Sequence, residues 1–411
     1  MTRPRGLRAS GLLGALLAAA VIASACGSSS GNGGTGGGGT SANGGGGSAL
    51  GTPPEQNAPV LTKIGKGEGQ LNIVAWEGYA QPEWVKPFEQ ATGCVVNAKY
   101  AGSSSEMVQL MSSAGSQYDL VSASGDADLR LIYGGYVRPI NIGLMPNWKN
   151  FLPFLKTPPF NTINGRHYGI SYEFGPNVLL YSKKAFPSGP PTSWSVIYSN
   201  KYKGEVTVPN NPIQIADAAL YLSKSRPSLG ITDPYELTQP QFNAAVNLLK
   251  AEHPLIAKYW DLASQEISLF QSGTTVVGAA WPYQTNTLVA DHVAVGDTIP
   301  QEGATGWADT WMLGTHAAHP NCAYMWMRWV TTPKVQAEEA DYFGETPANH
   351  LACPIMNSIA AGSCTAYHEN APLSYFQTIK FWKTPLATCD NGKNDCVPFS
   401  QWVSAWTQIT G

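Results

Sequence analysis

The chain has 411 residues, of which 13% are charged and 43% hydrophobic, and its formal net charge is −3. It contains no basic patch or Lys/Arg run that would suit nucleic acid, and past its N-terminal segment no apolar run of membrane-spanning length. The size allows two domains of ordinary dimensions.

Arg3, Arg5 and Arg8 open the chain, residues 12–22 are apolar, and Ala23-Ser24-Ala25 leads into Cys26. This three-part pattern predicts a signal peptide over residues 1–25. The cysteine directly after small residues resembles a bacterial lipobox, in which Cys26 is lipidated and becomes the mature N-terminus. Ala23 stands where lipoboxes usually carry Leu, and cleavage after Ala25 with free secretion is the alternative. Residues 26–69 are expected as a lipidated cysteine and linker. Within it, residues 27–48 hold 12 glycines among 22 positions, a coil with a reach of roughly 25–30 Å that cannot bury a core. Losing three arginines with the leader leaves 22 basic against 28 acidic side chains, a formal −6.

The body opens with a strand at Leu71-Asn72-Ile73-Val74-Ala75-Trp76, followed by the polar Glu77-Gly78-Tyr79. A helix is expected over 81–91, with Pro82 in its first turn and Gly93 as its stop. A strand follows at 95–100, a helix opened by Ser103-Ser104-Ser105-Glu106, and a strand at 118–121. Further strands are expected at 204–209 and 274–281, and helices at 216–224, 241–252 and 320–330. This alternation predicts an α/β fold with parallel, doubly wound sheets in two lobes.

Ligands in such sheets sit outside the carboxyl ends of the strands. Collected there are Trp76, Glu77 and Tyr79, then Ser124 and Asp126, then Asn211 and Gln214, then Trp281 and Tyr283. The segment GWADTW at 306–311 adds Trp307 and Asp309 on one face of a strand, because side chains there repeat with period two. Each residue has a plainer role available. Trp76 and Trp281 suit a core, Asn211 and Gln214 could cap a helix, and Asp126 could be an N-cap. Taken together the set is aromatic and acidic, the chemistry that seats an ammonium group: rings attract cations and carboxylates hold them through charged hydrogen bonds.

Cys94, Cys322, Cys353, Cys364, Cys389 and Cys396 remain once Cys26 is set aside, and an even number in an exported chain argues for disulfides. Fifteen connectivities are open; the short-loop choices are Cys353–Cys364 and Cys389–Cys396, which leaves Cys94–Cys322. No C-x-x-C or paired-histidine spacing suits a metal, and no cofactor is expected.

Over residues 70–385 the chain resembles the bacterial spermidine/putrescine-binding proteins of ABC importers. The resemblance is carried by LNIVAWEGY, YDLVSAS, TSW at 192–194, KYKGEVTV, GAAWPY, QEGATGWADT and GETPAN at 344–349, in that order. It implies a type II periplasmic binding fold, with a hinge joining lobe 1 (70–174 and 307–352) to lobe 2 (175–306 and 353–411). It also implies a monomer without catalytic activity that closes on a small amine and docks on a membrane permease, anchored outside the cytoplasm through Cys26. By position, Trp76 and Tyr79 match an aromatic wall, Ser124 a hydroxyl contact, Trp281 an aromatic of the second lobe, and Trp307 and Asp309 a stacking ring and an amine-holding carboxylate. Asn211 and Gln214 stand where spermidine binders place an Asp and a Glu, and Asp126 and Glu345 stand where they carry tyrosines. A sugar or an amino-acid- or opine-like solute on the same fold is the alternative ligand, and an exported hydrolase using Asp309 and Glu345 as an acid pair is the alternative activity.

Cys26→Ser is expected to release the protein from the membrane fraction on cell fractionation; retention of the variant there would rule out the lipid anchor.

Overall fold

The computed structural model describes residues 52–76, 78–114 and 117–411. The expectations for the signal segment, Cys26, the glycine-rich stretch and Glu77 lie outside the described residues. Among the described residues, no helix is long and apolar enough to cross a membrane.

Two main sheets organise the body. The first runs in the order Thr346–Pro347, Gly169–Pro176, Ala304–Gly314, Leu120–Ser124, Gln70–Ala75, Val95–Tyr100. Its outer three strands are parallel, whereas Ala304–Gly314 runs antiparallel to both of its neighbours, so the sheet is mixed. The second sheet runs Ile256–Trp260, Val206–Pro209, Val277–Ala280, Val178–Ser182, Val295–Thr298. All 11 residues of Ala304–Gly314 are buried, as are all 8 of Gly169–Pro176. Strands covered on both faces read as nearly continuous apolar runs, which leaves Asp309 and Glu173 as the charged exceptions in these two.

The chain passes from the first sheet to the second through Asn177 alone, between Pro176 and Val178. It returns after Thr298 into Ala304. The two crossings are stitched together: Asn177 N–H donates to the Thr305 carbonyl at 2.8 Å and Asn177 Nδ2 to Thr305 Oγ1 at 2.6 Å. Thr305 in turn donates to the buried carboxylate of Asp217. After the strand Ile379–Phe381, Trp382 N–H bonds to the Gly306 carbonyl at 2.7 Å, so a third crossing lies beside the other two.

The helices fall close to where periodicity places them, at Pro82–Thr92, Gln214–Ser225, Gln239–Glu252 and Pro320–Val330. Gly93 ends the first with φ 72°. The strand expected at 118–121 instead runs Leu120–Ser124, because the Asp119 carboxylate is taken up by the Asn72 N–H at 2.8 Å and the His319 N–H at 2.9 Å. Asp126 is the second residue of the helix Gly125–Tyr133, not its N-cap. Residues 52–69, expected as the end of the linker, lie against the body. Arg166 Nη2 donates to the Ala58 carbonyl at 2.8 Å, and the Glu68 carboxylate receives the N–H groups of Asn321 and Cys322 at 2.9 Å each. Leu61 and Ile64 pack on the first core.

All three cysteine pairings are present: Cys94–Cys322, Cys353–Cys364 and Cys389–Cys396. The first joins the loop after Pro82–Thr92 to the helix Pro320–Val330 across 228 residues, the last only 7. Loop-closure entropy makes the first worth about 5–5.5 kcal/mol and the last about 2–3 kcal/mol. Denaturant unfolding should therefore show a larger loss for Cys94→Ala with Cys322→Ala than for Cys389→Ala with Cys396→Ala. Equal losses would contradict the loop-length account.

Candidate functional site

Asp309 lies mid-strand, with Ser124 directly opposite it on the neighbouring strand. Opposed residues of an antiparallel pair point to the same face, and the Ser124 hydroxyl donates to Asp309 Oδ1. On the other side the pairing with Gly169–Pro176 slips between Ala308 and Thr310. In this bulge Tyr172 and Glu173 together oppose Asp309, which re-aims their side chains. The Tyr79 hydroxyl reaches Asp309 Oδ2 at 2.7 Å and Glu345 Oε2 at 3.3 Å. A phenol has one proton, so both contacts are good hydrogen bonds only when one carboxyl is protonated and donates back.

Burial drives that protonation. Asp309 is 3% exposed and Glu345 7%. Burial pushes the Asp309 carboxyl up to about 7, against the lowering by hydrogen bonds from Ser124 and Tyr79. Glu345 is held well above the ordinary carboxylate range by burial and then by the charge of Asp309. Tyr79 is raised by burial and by the same two acids. Among the described residues, no ion pair reaches either carboxylate.

Aromatic rings enclose the group. Gly78, at φ 105°, brings Tyr79 round after the first strand, and a Cβ there would meet Phe343 Cζ at 2.2 Å. The missing side chain lets Phe343 pack edge-on against Tyr79 at 5.2 Å. Phe343 also meets Tyr283 at 5.8 Å. Tyr283 belongs to the helix Pro282–Ala290, which follows a strand of the second sheet, so the site lies where the two sheets' helices meet. The Trp307 ring covers Gly175, where a Cβ would come within 2.6 Å of Cζ2. Trp311 belongs to the core, packed on Trp326 at 5.8 Å and Tyr172 at 5.9 Å.

The structure thus joins Tyr79, Ser124, Asp309 and Glu345 directly and brings Tyr283 to them through Phe343. Trp76, Trp281 and Trp307 leave their indole N–H groups buried without a partner, and Trp281 stands edge-on to Trp260 at 4.9 Å. Asp126 is already engaged, by Ser104 Oγ at 2.8 Å and by Arg130 at 3.9 Å. Asn211 accepts from the Ile213 N–H at 3.1 Å, and Gln214 opens its helix with Nε2 unpartnered. Neither bonds to the Asp309 group.

Sequence reading passed over Glu173, Glu339, Glu369 and Phe343. Glu173 carries the same signal as Asp309, a lone acid inside a wholly buried strand. Glu339 shares a helical face with Val335, Gln336, Ala340 and Phe343 in Pro333–Phe343, so its spacing marks it as buried. Glu369 follows a short helix and had no signal. Two surface cavities, of about 400 Å³ around Phe242 and Lys250 and about 650 Å³ around Lys224 and Lys380, contain none of these residues.

The sign of the pH effect follows from Asp309. In the unfolded chain its carboxyl ionises near 3.8, and in the fold near 7. The fold therefore holds more protons between these values, and the stability this group contributes is complete below about 4 and is lost as pH rises through about 7. Calorimetric melting of the ligand-free protein should show stability falling from pH 5 to pH 8, with a shallower fall in Asp309→Asn; an unchanged slope in the variant would contradict the assignment.

Residues 83–354 match the family model described as bacterial extracellular solute-binding protein. The putrescine/agmatine-binding protein of Pseudomonas aeruginosa is 24% identical over 325 residues, covering 72% of this chain and 85% of that one. The spermidine/putrescine-binding periplasmic protein of Escherichia coli is 23% identical over 300 residues, 73% and 83% of the two chains. Among solved structures, a putative spermidine/putrescine ABC transporter from Listeria monocytogenes superposes with a TM-score of 0.70 at 17% identity, over 83% of this chain and 98% of that one. The expected α/β fold is the fold of these binding proteins, and the chain belongs to the family of bacterial extracellular solute-binding proteins.

Proposed function

We propose that the protein is the solute receptor of an ABC importer, anchored outside the cytoplasm through lipidated Cys26 and acting as a monomer, and that its solute carries an amine. The observation that carries this reading is Asp309, buried on a central strand, oriented by Ser124 and Tyr79, paired with Glu345 on the same phenol and, among the described residues, reached by no basic side chain. An ammonium group brings the missing charge and the donors together. Tyr79, Trp307 and Phe343 offer ring faces and edges for the alkyl stem and for cation–π attraction. The names of the two relatives given above, a putrescine/agmatine-binding protein and a spermidine/putrescine-binding periplasmic protein, support the same chemistry. The protein performs no reaction: lobe 1 (70–174 and 307–352) and lobe 2 (175–306 and 353–411) close on the ligand by hinge motion and present it to the permease. The part of lobe 2 from Cys353 to Ala366 packs on the lobe 1 helix Pro333–Phe343 through Met356 and Cys364, so it would travel with lobe 1.

Thermal-shift screening against polyamines, amino acids, opine-like compounds and sugars tests the class, since a ligand raises the melting temperature by mass action. Amines are expected to give the shift, and Asp309→Asn to weaken the best of them by about 1.5–3 kcal/mol in calorimetry. A shift with sugars alone, or an affinity indifferent to Asp309→Asn, would overturn the reading.

A further inference from the structure

We propose that the cavity of about 650 Å³ walled by the returning crossing is a second binding site, which takes a small organic anion and favours closure of the lobes when filled. The inference goes beyond the amine reading above and rests on it only for the closure that it regulates.

The walls come from three places. The helix Gln214–Ser225, which follows the second-sheet strand Val206–Pro209, contributes Leu220 and Lys224. The segment returning from Thr298 to Ala304 contributes Pro300 and Glu302. The third wall is Tyr375 and Lys380, from a stretch that belongs to the first body. There Ile379–Phe381 pairs with Ala304–Gly306 in the first sheet, and Phe376 and Ile379 lie in the first core. The cavity therefore lies between the two bodies, against a segment that joins them. Its volume falls in the range of roughly 300–1,000 Å³ that seats small molecules.

Hydrogen bonds tie these walls to the crossings. Asp217, Leu220 and Lys224 recur at helical spacing on one face, and Asp217 is the acid that holds the Thr305 hydroxyl. Thr305 pairs with Lys380 across the two strands. The Lys380 carbonyl accepts from the Tyr235 hydroxyl at 2.6 Å, and Tyr235 adjoins the lining at Pro234. A Cβ at Gly303 would come within 2.7 Å of the Thr378 carbonyl, so the returning segment and the third wall are in close contact. Rotation of one body against the other moves Lys224 relative to Lys380, and a ligand that touches both walls binds one arrangement more tightly. The cavity described here belongs to the arrangement in which the bodies meet on the Asp309 side. Tyr283 lies 5.8 Å from Phe343 there, and a Cβ at Gly102 would meet Leu262 Cδ2 at 3.6 Å. An occupant therefore favours the closed arrangement.

The lining selects the charge of that occupant. Among the described residues, neither the Lys224 nor the Lys380 ammonium forms an ion pair, whereas Lys383 sits 3.1 Å from Asp233, 2.7 Å from Glu236 and 2.9 Å from Asp390. The acid in the lining, Glu302, is already engaged: the Ser193 hydroxyl donates to Oε1 at 2.5 Å and the Trp194 N–H to Oε2 at 3.2 Å. Two unpaired ammonium groups thus stand against one hydrogen-bonded carboxylate. Leu220, Pro300 and Tyr375 add apolar surface, which suits the body of an organic molecule better than a bare ion. No arginine lines the cavity, so the head it holds is a compact charge, not the planar partner of a guanidinium fork. The chemistry is opposite in sign to that of the Asp309 group, and the two sites select different molecules.

Phenyl phosphate and hexanoate serve as aromatic and aliphatic probes, with inorganic phosphate and phenol supplying the head and the body alone. Calorimetry on the full chain without amine is expected to show saturable binding of at least one probe, tighter than of either half-molecule. Lys224→Gln and Lys380→Gln, both at exposed positions, should each weaken that binding about tenfold, the scale of one charged hydrogen bond. Asp309→Asn should leave it unchanged. Saturating probe should lower the radius of gyration in X-ray scattering and tighten the best amine by about fivefold or more, as linkage between two sites requires. Absence of binding by both probes, or binding that either glutamine variant leaves at wild-type strength, overturns the site. Inorganic phosphate binding as tightly as phenyl phosphate overturns the organic anion as its ligand. Probe binding that leaves both the scattering and the amine affinity unchanged, or that weakens the amine, overturns the coupling. If the probe binds and compacts the protein while no amine binds, this site stands and the functional reading fails.

Discussion

A carboxylate cannot stay charged and unpaired on a strand whose eleven residues are all buried, and Asp309 sits in the middle of such a strand. The surrounding structure answers that constraint. Ser124 is placed opposite it by register, Tyr79 is swung over it by a turn at Gly78, and a bulge brings Tyr172 and Glu173 alongside. None of these groups supplies a positive charge. Burial raises the acid's tendency to keep its proton and hydroxyl donors orient it, and under the proposed function a cation would complete its compensation. On this account the ligand completes a site that folding leaves deliberately short of charge.

The crossings between the sheets serve the same end. A single residue, Asn177, separates the two strands of the first crossing, and its side chain, Thr305 and Asp217 link that crossing to the second. Burial raises Asp217 to about 7, against hydrogen bonds from Thr305 and Asn177. Crossings this short and hydrogen-bonded are the place where the proposed closure would turn. The bridge between Cys94 and Cys322 ties two elements of the first body together, and Lys383 clamps Asp233, Glu236 and Asp390 to one another.

Much of this was legible in the residues. Strand and helix periodicities gave the alternation, because amphipathic helices and buried strands impose different spacings on apolar residues. Asp309 stood out as a lone acid between two tryptophans, and Ser124 and Tyr79 fell at strand ends where such folds gather ligands. Glu345 was reached through family likeness and not through spacing. What stayed hidden depended on long-range packing. Glu173 shows its meaning only once both faces of its strand are known to be covered, and Glu369 only once the Cys353–Cys364 bridge folds its segment back beside Thr346. The strand ending at Ser124 was placed too early because the sequence does not reveal that Asp119 is occupied by Asn72 and His319.

The central claim is that buried, proton-bearing carboxyls give up protons to accept a cationic ligand. Calorimetry of amine binding near pH 6.5, repeated in buffers of different ionisation enthalpy, counts the protons exchanged. The account predicts a net release approaching one or more protons per ligand bound, reduced in Asp309→Asn. Binding with no proton exchange, or with uptake, would contradict it.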